Sequence, residues 1–384
     1  MQAFSVRKRR MVAGLGWAGL SAIALLAMAA IQAAPAQAAT WYAANNGLDT
    51  SPCTKTVPCR SITRALAVAS PGDTIQVGAG VYGDLDGSGT VGDAPGEETS
   101  AGCMISIAQR VTIVSKDGAR STVLDAGGDS AVHSVVCIQG AGTNGTVFGK
   151  LGKGFTLTGS TLGGIIGGAG LTVSANDGVR VEGNWATNNA GFGFALLPAP
   201  TNTTLKSNIA SDNGMSGVFG QADGLVLTGN LARNNSGSGF EIYSSASAVI
   251  TKNVAVGNLA PGFRLYSPGT ATVSKNTAVG NQIGLHVIAH GAVTLSSNNL
   301  FGNGDGVLPP SGPNCGLFVQ NDDAVNPLTV NASGNFWGAA TGPGANPADL
   351  AGGVGCSSDA GGGITLTTTP WKTVKQPLYP PKMK

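Results

Sequence analysis

An Asn returns about every 23 residues through the middle of this chain, at Asn184, Asn208, Asn230, Asn253, Asn276 and Asn299. Its surroundings return with it. Asn184-Trp-Ala186, Asn208-Ile-Ala210, Asn230-Leu-Ala232, Asn253-Val-Ala255 and Asn276-Thr-Ala278 share one pattern. A second Asn follows at Asn189, Asn213, Asn235, Asn258, Asn281 and Asn303, and then a Gly with an apolar residue, from Gly193-Phe194 to Gly306-Val307. Self-similarity at a fixed period marks a repeat architecture. A unit this short cannot bury its own apolar face, so the units must stack.

The runs between the Asn residues are short and β-type, such as Gly224-Leu-Val-Leu-Thr228 and Ala248-Val-Ile-Thr251, and Gly, Asn and Ser separate them. That is a strand-and-turn grammar, without the longer periodic stretches that helical repeats need. Three short strands and three turns consume one period and make one rung of a parallel β-helix. Rungs stack about 4.8 Å apart, so equivalent Asn side chains fall above one another and can bond in a ladder. Asn also tolerates left-handed turn geometry. One helix is expected, over Ser61–Ala69, with Ser61 as N-cap and Pro71-Gly72 as its stop. It would cap the first rung.

With the repeat stand the landmarks Trp41-Tyr-Ala-Ala-Asn-Asn-Gly47, Pro58-Cys-Arg-Ser-Ile-Thr-Arg-Ala-Leu66, Pro71-Gly-Asp-Thr-Ile-Gln-Val-Gly78 and the closing Gly334-Asn-Phe-Trp-Gly338. Together they resemble the right-handed parallel β-helix, pectin-lyase-like superfamily of secreted bacterial repeat proteins. The resemblance implies an all-β, right-handed solenoid of roughly a dozen rungs. It says little about activity, because one fold hosts many functions: lyases, hydrolases, epimerases, adhesins and maturation factors share this one.

Residues 1–38 read as an export signal: Arg7-Lys-Arg-Arg10, an apolar run from Met11 to Ile31, then Ala36-Gln-Ala38. The remainder, 39–384, reads as a single domain, with an N-terminal cap over 39–73, rungs over 74–304, and a C-terminal insertion and cap over 305–384. The expected location is extracytoplasmic, with no membrane span after signal cleavage. The six Cys of an exported chain read as disulfides, most economically Cys53 with Cys59, Cys103 with Cys137 and Cys315 with Cys356. Only 11% of residues are charged and the net charge is +2, so no basic stripe points to nucleic acid.

Three outward residues on consecutive rungs carry the candidate chemistry. In Phe240-Glu241-Ile242, Phe263-Arg264-Leu265 and Leu285-His286-Val287, alternation turns Glu241, Arg264 and His286 outward as a column. Tyr243 and Tyr266 form a parallel aromatic column, with Phe219 one rung earlier on the same face. Arg264 can grip a carboxylate bidentately. His286 is the candidate general base, with an ordinary pKa near working pH. The bland alternative is an exposed ion-pair ladder. Glycoside hydrolysis needs two carboxylates across one bond, and the repeats carry too few acids on one face for this, with Glu182 and Glu241 two to three rungs apart. A second signal, Asp84-Leu-Asp86-Gly-Ser88-Gly-Thr90, resembles the start of a Ca²⁺ loop with ligands from Asp84, Asp86, Ser88 and Thr90. Pro95 stands where the closing Glu belongs, and Glu97 or Glu98 would have to substitute. The leading expectation is a non-catalytic exported protein presenting a surface to polysaccharide or a cell-envelope component. The alternatives are a polysaccharide lyase or C5-epimerase acting on uronates, and a periplasmic metalloenzyme-maturation factor.

Overall fold

The computed structural model describes residues 37–98, 102–161, 167–174, 176–243, 248–266, 271–304 and 314–378. The expected signal segment lies outside these, apart from its last two positions. Among the described residues no helix is long and apolar enough to cross a membrane.

Three parallel sheets run the length of the molecule, here called A, B and C, with twelve, nine and eleven strands. The chain visits A, B and C in turn and then returns to A, so each strand pairs with its equivalents one turn before and after. Thr204–Lys206, for example, lies between Arg180–Glu182 and Val226–Thr228. The central residue of each three-residue strand in sheets A and B turns inward, and in sheet C the residue after the recurrent Gly does. Sheet A supplies Leu205, Leu227, Ile250 and Val273, sheet B supplies Ala186, Ala210, Ala232, Ala255 and Ala278, and sheet C supplies Phe194, Phe240 and Phe263, all essentially buried. The recurrent Gly that opens each sheet C strand serves close approach. A Cβ on Gly193, Gly217 or Gly239 would come within 2.6–2.8 Å of the next rung's Gly carbonyl oxygen.

Both Asn columns form ladders. In the first, each side-chain Nδ2 donates to the Oδ1 one rung on, from Asn184 through Asn208, Asn230, Asn253, Asn276 and Asn298 to Asn335, at 2.9–3.3 Å. The second runs from Asn189 through Asn213, Asn235, Asn258 and Asn281 to Asn303 at 2.8–3.1 Å, and ends on the Asp349 carboxylate. Each Nδ2 also reaches a strand carbonyl of the preceding rung, as Asn230 does to Leu205 at 2.9 Å. The ladder Asn residues are at most 2% exposed, so their amides replace the water the turns would otherwise need.

Two details correct the sequence reading. The sixth member of the first ladder is Asn298, and Asn299 belongs to the following strand, opposite Thr277. Counting from Asn298 places Leu300 inward beside Ala278, where the pattern needs an apolar residue. The left-handed position is also not the ladder Asn but the residue before it: Ser207, Lys252, Lys275 and Ser297 have φ of 54–61°. The side chain that bonds and the backbone that bends are therefore neighbours with separate roles.

Helix α1, Ile62–Val68, is N-capped by Ser61, whose Oγ accepts from Arg64 N at 3.1 Å. Ile62 and Ala65 close the first turn of the core. The buried Glu98 carboxylate accepts the Ile62 and Thr63 N–H groups, both at 2.7 Å. At the far end, two strands of the expected insertion over 305–384 stay in register with the rungs. Cys315–Asn321 continues sheet C, with Leu317 opposite Leu285 and Phe318 opposite His286, and Leu328–Asn331 continues sheet A. Gly316 takes the role expected of Gly306, which lies outside the described residues. Ile364–Thr367 adds the last sheet A strand, so ladders and sheets extend beyond residue 304. The three expected disulfides are present, with no free Cys among the described residues.

Candidate functional site

The outward column of sheet C is in register as expected: Phe219, Glu241, Arg264, His286 and Phe318 stand on successive rungs. Tyr243 and Tyr266 stand beside it, followed by Ile288 and Gln320. The aromatic rings make a continuous ribbon. Phe192 to Phe219, Phe219 to Tyr243, and Tyr243 to Tyr266 have centroid separations of 4.8, 5.5 and 3.9 Å, and the two Tyr rings are nearly parallel. Phe219 is only 7% exposed and packs with Phe192, Ala195 and Met215 in a small apolar cluster apart from the main core. It supports Tyr243 from beneath rather than offering a free face.

Adjacent charges on this column do not pair. Glu241 takes hydrogen bonds from Ser216 Oγ at 2.8 Å and the Tyr243 hydroxyl at 3.3 Å. Arg264 lies over the Tyr266 ring at 5.0 Å, and its Nε is buried with no hydrogen-bond partner. Among the described residues Arg264 forms no ion pair or hydrogen bond, so the expected ion-pair ladder is absent. Cation–π contact with Tyr266 holds the guanidinium without using its N–H donors.

His286 departs from its expected role. It is buried, its Nε2 lies 3.2 Å from Gln320 Oε1, and its ring meets the edge of Phe318. Burial, with the nearby Arg264 charge adding to it, pushes its pKa down to about 4, against the opposing effect of Gln320. His286 is therefore neutral and weakly basic at neutral pH, and the near-neutral base read from the sequence is corrected. Burial, followed by the Tyr266 contact and the Glu241 charge, raises the Tyr243 hydroxyl well above its ordinary value, so it stays protonated as a donor. Ser216, Gln320 and Phe318 were not read as site residues. Gly316-Leu-Phe-Val-Gln320 repeats the grammar of Gly284-Leu-His-Val-Ile288, and that pattern was the available signal.

The other candidates separate. Glu182 is on sheet A, paired to Lys206 at 3.2 Å, while Glu241 is on sheet C, so the two carboxylates face different sides. His290 pairs with Asp322 at 3.5 Å. Asp323 closes a tight turn, and hydrogen bonds led by the Asn326 side chain hold its pKa down at about 2.

In the 84–97 loop, carboxylate oxygens of Asp84, Asp86 and Glu97 lie within 4.8 Å of one another. Ser88 Oγ bonds the Thr90 carbonyl and Asp93. Glu97 substitutes for the missing closing Glu, whereas Glu98 has gone to the helix. Backbone N–H groups already reach the three acids, from Gly87 and Gly89 to Asp84, Ser88 to Asp86, and Leu85, Gly92 and Ala94 to Glu97. For Glu97, burial works upward, but these amides outweigh it and hold the carboxyl below its usual range. The three acids have oxygen chemistry suited to a hard cation, and supply fewer ligands than the six to eight Ca²⁺ takes.

Three parallel sheets closed by one coiling chain, with buried Asn ladders at two of the turns, define a right-handed parallel β-helix. Residues 144–301 match the family described as "Right handed beta helix region", in line with the β-helix expected from the repeat. No curated protein matches the chain in sequence. Among solved structures it is similar to a rhamnogalacturonan lyase (13% identity, 84% of this chain and 87% of that one, TM-score 0.47). It is also similar to the pectate lyase Pel9A (16%, 88% and 78%, TM-score 0.47). A third likeness is to the A-module of the Azotobacter vinelandii mannuronan C-5 epimerase AlgE4 (17%, 79% and 91%, TM-score 0.42). At these scores the likenesses carry no argument about chemistry.

Proposed function

We propose that this protein binds an acidic polysaccharide or envelope glycan along the outer face of sheet C, and holds it without turning it over. The observation that supports this reading is the uncommitted Arg264 guanidinium, fixed over Tyr266 beside a stacked aromatic ribbon. An Arg left without an anionic partner is ready to donate to a carboxylate, and the flanking Tyr rings suit the apolar faces of sugar rings. The rung spacing lets an extended chain lie along the ribbon. Three disulfides suit a protein working outside the reducing cytosol.

The lyase or epimerase alternative needs a base beside Arg264. A buried His286 with its pKa near 4 is poorly matched to that task. No observation favours the metalloenzyme-maturation reading. Ca²⁺ enters the proposal only as a structural ion of the 84–97 loop, and a rise in melting temperature on Ca²⁺ addition that is lost in Asp84→Asn would support it. The main test is calorimetric titration with a panel of uronate polymers, run beside an ultraviolet assay for unsaturated products and an NMR assay for epimerisation. Binding that disappears in Arg264→Ala, with no turnover in either assay, is the expected outcome. Turnover by the wild type that is lost in His286→Ala would replace this reading with the enzymatic one.

A further inference from the structure

A second depression lies on sheet A, away from the sheet C ribbon. Its floor is formed where Thr40–Ala43 pairs in register with Thr74–Val77, and its volume is about 230 Å³. Tyr42, Ala44, Gln76 and Gly78 line it, with Lys55 on one wall and Lys116 on another.

The walls are fixed. The Cys53–Cys59 disulfide closes the loop that carries Lys55, and Cys59 is stitched to the first strand by hydrogen bonds with Tyr42 O at 2.9 Å and Ala44 N at 2.8 Å. The Lys116 backbone donates to Val77 O at 2.7 Å. No carboxylate lines the pocket, and neither Lys55 nor Lys116 has an ion-pair partner among the described residues. Two lysines without an ion-pair partner on the lining of one concavity focus positive potential into it. An anion complements that potential. The Tyr42 ring, the Gln76 amide and the small Ala surfaces add an aromatic wall, a polar group and an apolar base. The pocket is smaller than a typical drug-sized site, which limits the ligand to about the size of one sugar.

We infer that this pocket binds a small organic anion, a carboxylate carried on a hydroxylated body of monosaccharide size. The ligand is either free or the end residue of an acidic glycan.

Calorimetric titration of the full chain with sodium glucuronate tests this, with glucose as the neutral control. All variants are also made in an Arg264→Ala background, so that loss of the sheet C site does not mimic loss of this one. The expected result is binding in the millimolar range, unchanged by Arg264→Ala, abolished by high salt, and at least about tenfold weaker for glucose. Lys55→Gln with Lys116→Gln should weaken it by about tenfold or more. Gly78→Leu should block it with both charges intact. A Cβ at Gly78 meets only ordinary contacts at 3.6–3.7 Å, so the backbone accepts a side chain there, and a melting curve matching the wild type's establishes that the variant is folded. An acidic oligosaccharide that binds as tightly as the free acid identifies a chain end as the ligand, and weaker binding identifies the free acid. Equal affinity for glucose, or glucuronate binding that survives both the double Lys variant and Gly78→Leu in folded protein, overturns the assignment.

Discussion

The buried Asn ladders and the outward column of sheet C are built by the same stacking and come out opposite in character. An amide carries both donor and acceptor, so an Asn above an Asn satisfies it, and six successive members of the first ladder do so. Glu241, Arg264 and His286 are also one rung apart, yet each finds its contacts elsewhere: Ser216 and Tyr243, Tyr266, and Gln320 with Phe318. Identical, self-complementary groups turn stacking into stability. Unlike groups that decline their neighbours leave chemistry unused, and that is where a ligand is to be sought.

The comparison breaks most readily at the ladders. Asn253→Ala should cost about 3 kcal/mol or more, because it strands buried partners at the Asn230 amide, Leu227 O and Asn276. Chemical denaturation measures this, and a loss below about 0.5 kcal/mol would mean the ladders are not what holds the turns. Asp349→Asn should cost less, about 1–2 kcal/mol. Its carboxylate accepts from Gly302 N, Asn303 N and Asn303 Nδ2, and an amide presents one acceptor instead of two.

His286 sharpens the contrast through pH. Its folded pKa of about 4 lies below its ordinary value of 6.5, so the unfolded chain takes up the proton first as pH falls. The stability tied to neutral His286 is full above pH 6.5 and is lost progressively as pH falls toward 4. A tenfold difference in proton affinity between the folded and unfolded chain corresponds to about 1.4 kcal/mol, and solvent that still reaches the ring lessens the effect. Melting curves across that window should be flatter in His286→Gln, and parallel curves would remove the buried-imidazole account. Arg264→Ala should have the smallest effect on stability, within about 0.5 kcal/mol, while it removes glycan binding. A large loss of stability there would make Arg264 a structural residue and weaken the proposed function.

Much of this architecture was legible because its causes are local and periodic. The Asn, Gly and apolar positions each recur for a steric or hydrogen-bonding reason that one rung imposes on the next, which is why both ladders, the sheet C register and the Glu241–Arg264–His286 column could be read. What was missed depends on contacts across irregular spacing. Asn298 and Asn335 are 37 residues apart, and the wider sequence spacing before Cys315 hid the rung that supplies Phe318 and Gln320. Without that rung His286 reads as an exposed, titrating base. With it, the imidazole is covered and neutral. Likewise Glu98 reaches Ile62 across 36 residues, a distance that no local pattern encodes.

The end of the second ladder has a consequence for the length of the molecule. Every amide in it donates in one direction, and the last donation falls on an Asp349 carboxylate oxygen. The series of amides therefore ends on a residue of another kind, however many members precede it. A block of 22 or 23 residues could be duplicated or deleted between Asn213 and Asn281 with every remaining bond re-formed and both caps untouched. Reach along the axis is then a quantity that can change in whole steps of about 4.8 Å, independently of how the molecule begins and ends.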